Sequence, residues 1–157
     1  ELAESGSPAN FIGDHENSVY ASTSGDGIVP PGMNMTLTIS GEWSEQLSLT
    51  LATMLVNTND AFSGATGIPV GHLEQGETYS KLLATYDAGT EANTESAASI
   101  PGPAGGGAGY NSANDDVAFV SLHAGVVTAD DGLATSTLNE SHRFDSGTLL
   151  MHVTRIQ

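Results

Sequence analysis

Apolar and small polar residues alternate along several stretches of this chain, and a period of two predicts β-strands. The clearest case is residues 33–39 (MNMTLTI), which we expect to form a half-exposed strand. Residues 47–56 (LSLTLATMLV) begin with the same alternation and then become mostly apolar. Shorter strands are expected at 78–85 and 149–156, and the apolar run 117–123 (VAFVSLH) is expected to be a central strand.

Turn residues connect these stretches and indicate one all-β domain covering residues 1–157. A turn at 41–44 would join the first two strands as a hairpin, whereas 64–76 is expected to be a glycine-containing loop. Residues 1–6 are expected to form a single helical turn, and 87–116 a long connection. Because neither repeats nor βαβ alternation are visible, we predict an antiparallel fold with long loops and little helix.

Two of the predicted strands run directly into loops that carry carboxylates. Residues 47–56 are followed by Asn-Thr-Asn-Asp at 57–60, and residues 78–85 are followed by YDAGTEANTE at 86–95. Rigid strands that present acidic loops are typical of sites for hard cations, which bind through oxygen. The alternative interpretation is that these aspartates only cap turns, as aspartate commonly does.

The charge balance is strongly acidic. Lys81, Arg143 and Arg155 are the basic residues against 19 acidic ones, so the net charge is −16. Nucleic acid and anionic membranes need a basic footprint and are therefore poor partners, and no apolar stretch approaches the roughly 20 residues that span a bilayer. The acidity fits both a solvated surface and carboxylates clustered around cations. The chain has no cysteine, which excludes disulfides, thiol nucleophiles and thiolate metal sites.

The segments LATMLVNTNDAF at 51–62 and ATYDAGTE at 84–91, with HVTRI at 152–156, resemble the spondin N-terminal domain family. ELAESGSP at 1–8 and IVPPG at 28–32 are similar to the microbial branch of that family. Its members occur in animal matrix proteins and in secreted microbial proteins. The resemblance implies an antiparallel β-sandwich, similar in shape to C2 domains, with a calcium ion between loops at one end.

The resemblance also implies a ligand set for calcium. Asp60 matches the acidic residue that follows the strand, Asp87 matches the Asp of the Tyr-Asp-Ala-Gly-Thr motif, and Glu91 matches the acidic residue that closes it. Asn59 and the backbone carbonyl near Ala61 would complete the oxygen shell.

Three further acidic residues, Glu95, Asp115 and Asp116, are lesser candidates and are interpreted as solvated loop charges. His123 and His152 fall in predicted strands and would form a zinc or copper site if they met across a sheet. The alternative is that they are isolated, hydrogen-bonded histidines.

Two departures limit what the resemblance implies. Animal members have Pro-Asp-Trp-Phe where this chain has Asn-Asp-Ala-Phe at 59–62, and their cysteines are absent, so animal-specific adhesion is not transferred. Family members also carry at least one strand upstream of the segment that matches ELAESG, and we expect the domain to lack it. Either the chain was processed or trimmed, or an open sheet edge is filled by something else, such as another copy of the chain.

Two classes of function follow from these observations. The first is a secreted, calcium-binding β-sandwich module for adhesion or for interaction with extracellular proteins or surfaces, with the cell surface or periplasm as alternative locations. The second is a self-assembling structural subunit of an extracellular filament or surface layer, with strand complementation between subunits. No enzymatic activity is predicted, because a Gly-x-Ser-x-Gly motif and a phosphate-binding glycine loop are both absent from the sequence.

Overall fold

Five antiparallel strands form a curled, half-barrel sheet in the computed structural model, which describes residues 1–144 and 147–157. The strands are β1 (Ser48–Met54), β2 (Ala61–Pro69), β3 (Thr78–Asp87), β4 (Ser121–Leu122) and β5 (Leu149–Thr154). Helix in the described residues is limited to α1 (Leu2–Ser5), α2 (Ala9–Gly13) and short 3₁₀ turns at Ala129–Asp131 and Glu140–His142. The all-β, antiparallel prediction is therefore confirmed at the level of a β-rich sheet.

The longest strand, β3, belongs to two sets of pairings and makes the sheet curl. Its first part, from Thr78 to Leu83, pairs with β5. Its last residues pair with the start of β2, and Tyr86 and Asp87 also pair with β4. Strand β1 pairs with β2, and the register shifts at a bulge around Gly67. Gly67 has a φ of 65°, a conformation that glycine adopts without strain. The sheet order is β1-β2-β3-β4, with β5 on β3.

The inner face of the sheet is apolar at one end and polar at the other. On β3, Leu83, Thr85 and Asp87 are all buried, and their spacing of two places them on one face. The apolar end is a cluster of buried side chains: Ile68, Val70, Leu73, Leu83 and Met151. Complete burial of a leucine such as Leu83 contributes about 1.5–3 kcal/mol. The polar end is the place where the acidic loops gather.

A second, smaller core lies among the long loops. Ile100, Val126 and Leu138 are buried together, with Ala104 and Phe144 packed against them. This cluster, together with the short pairing of β4 with β3, holds residues 95–138 near the polar end of the sheet. The loops are therefore anchored by apolar contacts of their own.

Several predicted elements are confirmed. Strands β1 and β5 fall within the predicted 47–56 and 149–156 regions, and β3 covers the predicted 78–85 and continues to Asp87. The helical turn at the front is α1, and Gly6 ends it in the left-handed conformation with a φ of 74°.

The predicted strand at 33–39 is wrong, and so is the hairpin that it would have formed with β1. This segment lies outside any helix or strand, and Met33, Met35, Leu37 and Ile39 are exposed by 67%, 37%, 43% and 49%. Alternation specifies which face of a strand is apolar, but a strand also needs a neighbour for its hydrogen bonds. No described strand of this chain pairs with the segment.

Two further predictions are corrected. The loop expected at 64–76 contains most of β2, because its glycines serve close packing: a side chain at Gly64 would lie 2.6 Å from the carbonyl oxygen of Leu51. The central strand expected at 117–123 is reduced to β4, and Phe119 is 60% exposed. The chain leaves the extended conformation at Ala118, whose φ is 60° and whose N–H donates to Gly89.

Candidate cation site

Pairing of β2 with β3 brings the two predicted acidic loops together. Asp60 directly precedes β2, whose first residue, Ala61, lies opposite Asp87 at the end of β3. The N–H of Ala88 donates to the backbone carbonyl of Asp60 at 3.2 Å. Asp60 is fully buried and Asp87 is 8% exposed. The sheet therefore brings two buried acidic residues to the same end.

The Asp60 carboxylate is the centre of this arrangement. Its Oδ2 atom accepts the N–H of Thr90 at 2.6 Å, the Thr90 hydroxyl at 3.0 Å and the N–H of Glu91 at 3.0 Å. Its Oδ1 atom is buried and has no partner within residues 1–144 and 147–157. An ionised carboxylate accepts bonds on both oxygens, so a buried oxygen without a donor calls for a cation, a water molecule or a proton.

Asp87 is held by the loop that follows it. Its Oδ1 accepts the N–H of Gly89 at 2.7 Å, and its Oδ2 accepts the side-chain amide of Asn93 at 2.6 Å. Gly89 has a φ of 69°, and a side chain there would collide with the carbonyl of Phe119. Only glycine fits this turn, which holds the Asp87 side chain in place.

Helix α1 contributes a carboxylate that the sequence analysis did not select. Glu4 is 2% exposed, and its Oε2 accepts the N–H of Asn111 at 2.8 Å. Its Oε1 lies 2.7 Å from the Thr90 hydroxyl, which also contacts Asp60. A hydroxyl has one hydrogen to donate, so it satisfies one of these two carboxylates at a time. The cluster is therefore short of donors at Thr90 as well as at Asp60.

Glu95 was expected to be a solvated loop charge, and that expectation is wrong. It is 1% exposed, because the residues that follow it fold over it around the second core of Ile100, Val126 and Leu138. Its Oε1 accepts the N–H of Val127 at 3.2 Å, while its Oε2 is buried and unpaired in the described part of the chain. Its backbone has a left-handed φ of 53°, which is uncommon outside glycine and is typical of positions that the surrounding fold constrains.

Burial and mutual repulsion disfavour charge in this cluster. Desolvation raises the pKa of Asp60, with a smaller contribution from the charge of Asp87, although bonds from Glu91 and Thr90 oppose it. Desolvation likewise raises the pKa of Glu95. The pKa of Glu91 is raised to about 7 by desolvation and then by the charges of Glu4, Asp115 and Asp60. Several acids thus repel one another in a poorly solvated place.

The basic residues do not relieve this repulsion. Arg143 pairs with Asp131 at 2.7 Å and with Glu140 at 2.8 Å. Arg155 lies 4.2 Å from the ring centre of Trp43. Lys81 is exposed on β3, in the part that pairs with β5. Each of these positive charges is engaged or solvated elsewhere.

The remaining predicted ligands lie at the same end of the sheet. Asn59 is fully buried, and its Oδ1 accepts the N–H of Glu95 at 3.3 Å. The carbonyl of Ala61 accepts the N–H of Leu55 at 2.8 Å, so one of its lone pairs closes the β1–β2 loop. Asp115 is exposed and accepts the N–H of Ala92 at 2.8 Å.

Asp116 lies next to Asp115, and its N–H donates to Asn114 at 3.0 Å. Neither residue is buried, as expected for loop charges. The acids that sequence reasoning missed or misjudged are therefore Glu4 and Glu95. The alternation of apolar residues carries no signal for either, because their burial depends on contacts with distant loops.

The two strand histidines do not meet. His123 follows β4, its N–H donates to Thr85, and it is 7% exposed. His152 is on β5, exposed, with its Nδ1 2.7 Å from the hydroxyl of Ser80. Their contacts on β3 are five positions apart, or about 16 Å at 3.3 Å per residue. A zinc or copper site shared by these histidines is therefore ruled out by the pairing.

His123 instead borders the acidic cluster. Its Nδ1 accepts the N–H of Gly125 at 3.0 Å, so the neutral ring carries its hydrogen on Nε2. Desolvation lowers the pKa of His123, and the charges of Asp87 and Asp60 oppose that effect. Its Nε2 is a third buried, unpaired atom in the described residues.

The arrangement is not a finished metal centre. Among residues 1–144 and 147–157, no three His, Asp or Glu side chains converge closely enough to hold a metal ion by themselves. Calcium, however, takes a large share of its ligands from backbone carbonyls, amide oxygens and water. Unpaired carboxylate oxygens at Asp60 and Glu95 fit a hard cation of that kind, whereas they do not fit an anion.

Comparison with known proteins returned no family model, no curated protein and no solved structure that matches this chain. Within the part of the chain that is described, no helix has the length and apolar character needed to cross a membrane.

Proposed function

We propose that this chain is a calcium-stabilised binding module of the spondin type, with its calcium site at the acidic end of the sheet. The observation that carries the proposal is the fully buried Oδ1 atom of Asp60, which has no partner in the described residues. A bound divalent cation would supply the missing positive charge and relieve the repulsion among the surrounding carboxylates.

The ligands would come from separate loops that the fold brings to one place. Asp60 and Glu95 offer unpaired oxygens, and Asp87 and Glu91 add carboxylates from the β3 end and the following loop. Asn59 would supply its amide oxygen if it gave up the 3.3 Å bond from Glu95. Ala61 would contribute through the second lone pair of its carbonyl, since the first accepts Leu55.

A cation explains this site better than protonation alone. Protons would neutralise single carboxylates, but the site contains several acids that repel one another, and the three basic residues of the sequence are engaged or solvated elsewhere. Calcium carries two charges and is bound by oxygen ligands from several segments at once. Binding would therefore join the β1–β2 loop to residues 87–95.

The finer architecture belongs to the same proposal. We take the curled sheet as part of an antiparallel β-sandwich of C2-like shape, because β3 divides its pairing between β2 and β5. The module would act outside the cell, in adhesion to a protein or surface. Support comes from the resemblance of the acidic loops to spondin domains and from the net charge of −16, which suits a well-solvated extracellular surface.

Calorimetric titration of the purified, chelator-treated chain with calcium tests the proposal. We expect saturable binding, together with a higher melting temperature in calcium than in chelator, since a ligand that binds only the folded state adds RT ln(1 + [L]/Kd). At about 100 times Kd this stabilisation is about 2.7 kcal/mol. Magnesium, which requires a smaller and more regular octahedral shell, should stabilise the chain less.

Two charge-removing variants make the test specific. Asp87→Asn should abolish or strongly weaken the calcium response, because it removes a charge from the buried cluster. Asp130→Asn removes the same charge from an exposed position and should respond to calcium as the original chain does. If neither heat of binding nor a shift in melting temperature is seen with calcium, or if both variants lose it equally, the proposed site is wrong.

A further inference from the structure

An exposed segment carries a strand pattern without a strand partner. We call residues 19–43 the arm; every residue in it is exposed, and helices and strands are absent from it. Its two legs, residues 19–26 and 33–43, run side by side in opposite directions. The Tyr20 hydroxyl accepts the N–H of Glu42 at 2.9 Å, and the Met35 sulfur lies against Gly25.

The second leg of the arm has the residue pattern of a strand at the surface of a sheet. Met33, Met35, Leu37 and Ile39 alternate with small polar residues, so an extended conformation would place all the apolar side chains on one side. In the folded chain these side chains are 37–67% exposed. Exposed apolar residues on an extended segment are typical of strand addition.

The sheet has an edge on which such a strand would fit. Strand β5 pairs with β3 along one edge, and no described strand occupies its other edge. The N–H of Arg155 donates to Glu77 on the β3 side, and Gly76 donates to the carbonyl of Arg155. Since successive residues of a strand alternate in direction, Leu150, His152 and Thr154 direct their N–H and C=O groups to the free edge.

The inner face beside this edge is incompletely covered. Leu149 and Val153 on β5 are only partly buried against the main core, and Tyr79 on β3 is also only partly buried. An added strand would cover these side chains with Met35, Leu37 and Ile39. Covering apolar surface in this way is favourable at about 25 cal/mol per Å².

Charge selects this edge over the edge of β1. The chain has a net charge of −16, but residues 27–41 of the arm carry no charged side chain. Residues 147–157, which include β5, contain no acidic residue. On the β3–β5 side of the sheet, Lys81 and Arg155 offset Glu77, whereas β1 is preceded by Glu42 and Glu45 and followed by Asp60, with no basic residue beside them in the sequence. Two acidic copies repel each other least where these surfaces meet.

We infer that the arm of one copy of this chain adds as a strand to the free edge of β5 in a second copy. The contact is heterologous, because each copy donates an arm and accepts one at a different surface. Copies would therefore join head to tail into rings or filaments. This assembly does not depend on calcium, because it involves only the arm and the free edge of β5.

Sedimentation velocity over a range of concentrations tests it, in about 1 M NaCl to reduce the Debye length to about 3 Å. The original chain is expected to form larger species as concentration rises. The double variant Leu37→Asp with Ile39→Asp should stay monomeric. Thr36→Asp with Thr38→Asp adds the same charge to the opposite side of the leg and should still assemble. If all three behave alike, the inference is wrong.

The accepting edge is tested separately. His152→Pro removes an N–H from the free edge and should block assembly, whereas His152→Ala keeps that N–H and should not. Mixing the arm variant with His152→Pro leaves one functional arm and one functional edge, so the mixture should form one-to-one dimers although each variant alone is monomeric. Melting curves of each variant confirm that it is folded.

The outcome that would overturn the inference is a monomer at every concentration. Amide hydrogen exchange would then show whether residues 33–39 are protected, which would place the arm on the sheet of its own chain. A mixture of the two variants that stays monomeric would equally contradict addition to β5 of a second copy.

Discussion

The backbone N–H of Glu91 donates to the Asp60 carboxylate at 3.0 Å, although the two residues are 31 positions apart in the chain. The bond fixes the loop after β3 against the end of the β1–β2 loop. It also brings an acidic side chain close to a buried acid, and the charge of Asp60 is one of the causes that raise the pKa of Glu91. The backbone thus holds together groups whose side chains repel each other.

Without metal, the chain should lose stability as the pH rises through the range in which this cluster ionises. The pKa of Glu91 is raised from an ordinary value of 4.5 to about 7, and those of Asp60 and Glu95 are also raised. A carboxyl group whose pKa is higher in the folded state stabilises that state when protonated, so its contribution is complete below about pH 4.5 and is lost as the pH passes 7.

Urea unfolding in chelator at about pH 5 and about pH 8 measures this effect. Glu91→Gln removes the titrating group and should reduce the difference between the two conditions. Glu16→Gln, at an exposed position after α2, should leave it unchanged. An equal pH dependence in all three proteins would show that Glu91 does not contribute.

Asp60→Asn should stabilise the metal-free chain and abolish its response to calcium. The amide oxygen would still accept the donors from Thr90 and Glu91, while the amide nitrogen would replace the unpaired Oδ1. We expect the free energy of unfolding in chelator near pH 8 to rise by about 1–3 kcal/mol, because the amide removes a poorly solvated negative charge that Asp87 also repels. Urea unfolding with and without calcium gives both quantities, and destabilisation in chelator would contradict the description of Oδ1.

Gly89→Ala should be strongly destabilising. The left-handed conformation costs an alanine about 1–2 kcal/mol, and its methyl group would also collide with the carbonyl of Phe119. Gly107→Ala is the matched control, because Gly107 has a φ of 77° with nothing within 4 Å of the added carbon. If the two variants lose the same free energy of unfolding, the close approach at Phe119 is unimportant.

Leu83→Ala should cost about 2–5 kcal/mol of stability, since it opens a cavity where β3 contributes to the main core. Its neighbour Leu82 is 58% exposed on the opposite face of the strand. Leu82→Ala should therefore change the free energy of unfolding by less than about 0.5 kcal/mol. Denaturant unfolding compares the two directly, and similar losses would mean that the faces of β3 are assigned incorrectly.

Strands that pair with sequence neighbours were the most predictable part of the fold. The 47–56 and 78–85 patterns lie on β1 and β3, and the loops that follow them meet, because β2 runs back between them. The same reasoning failed at 33–39, where the alternation is clearer than anywhere else in the chain. It failed at 117–123 because Ala118 leaves the extended conformation.

The amino-acid sequence by itself determined where apolar alternation occurs, the position of the acidic loops and the excess of negative charge. These are local or additive properties, and they carry over into any fold the chain adopts. Only the tertiary structure decided that Glu4 and Glu95 are buried, that Asp60 keeps an unpaired oxygen, and that His123 and His152 stay apart. Desolvation and hydrogen-bond pairing depend on which distant segments pack together, and a pattern along one stretch contains no information about its partner.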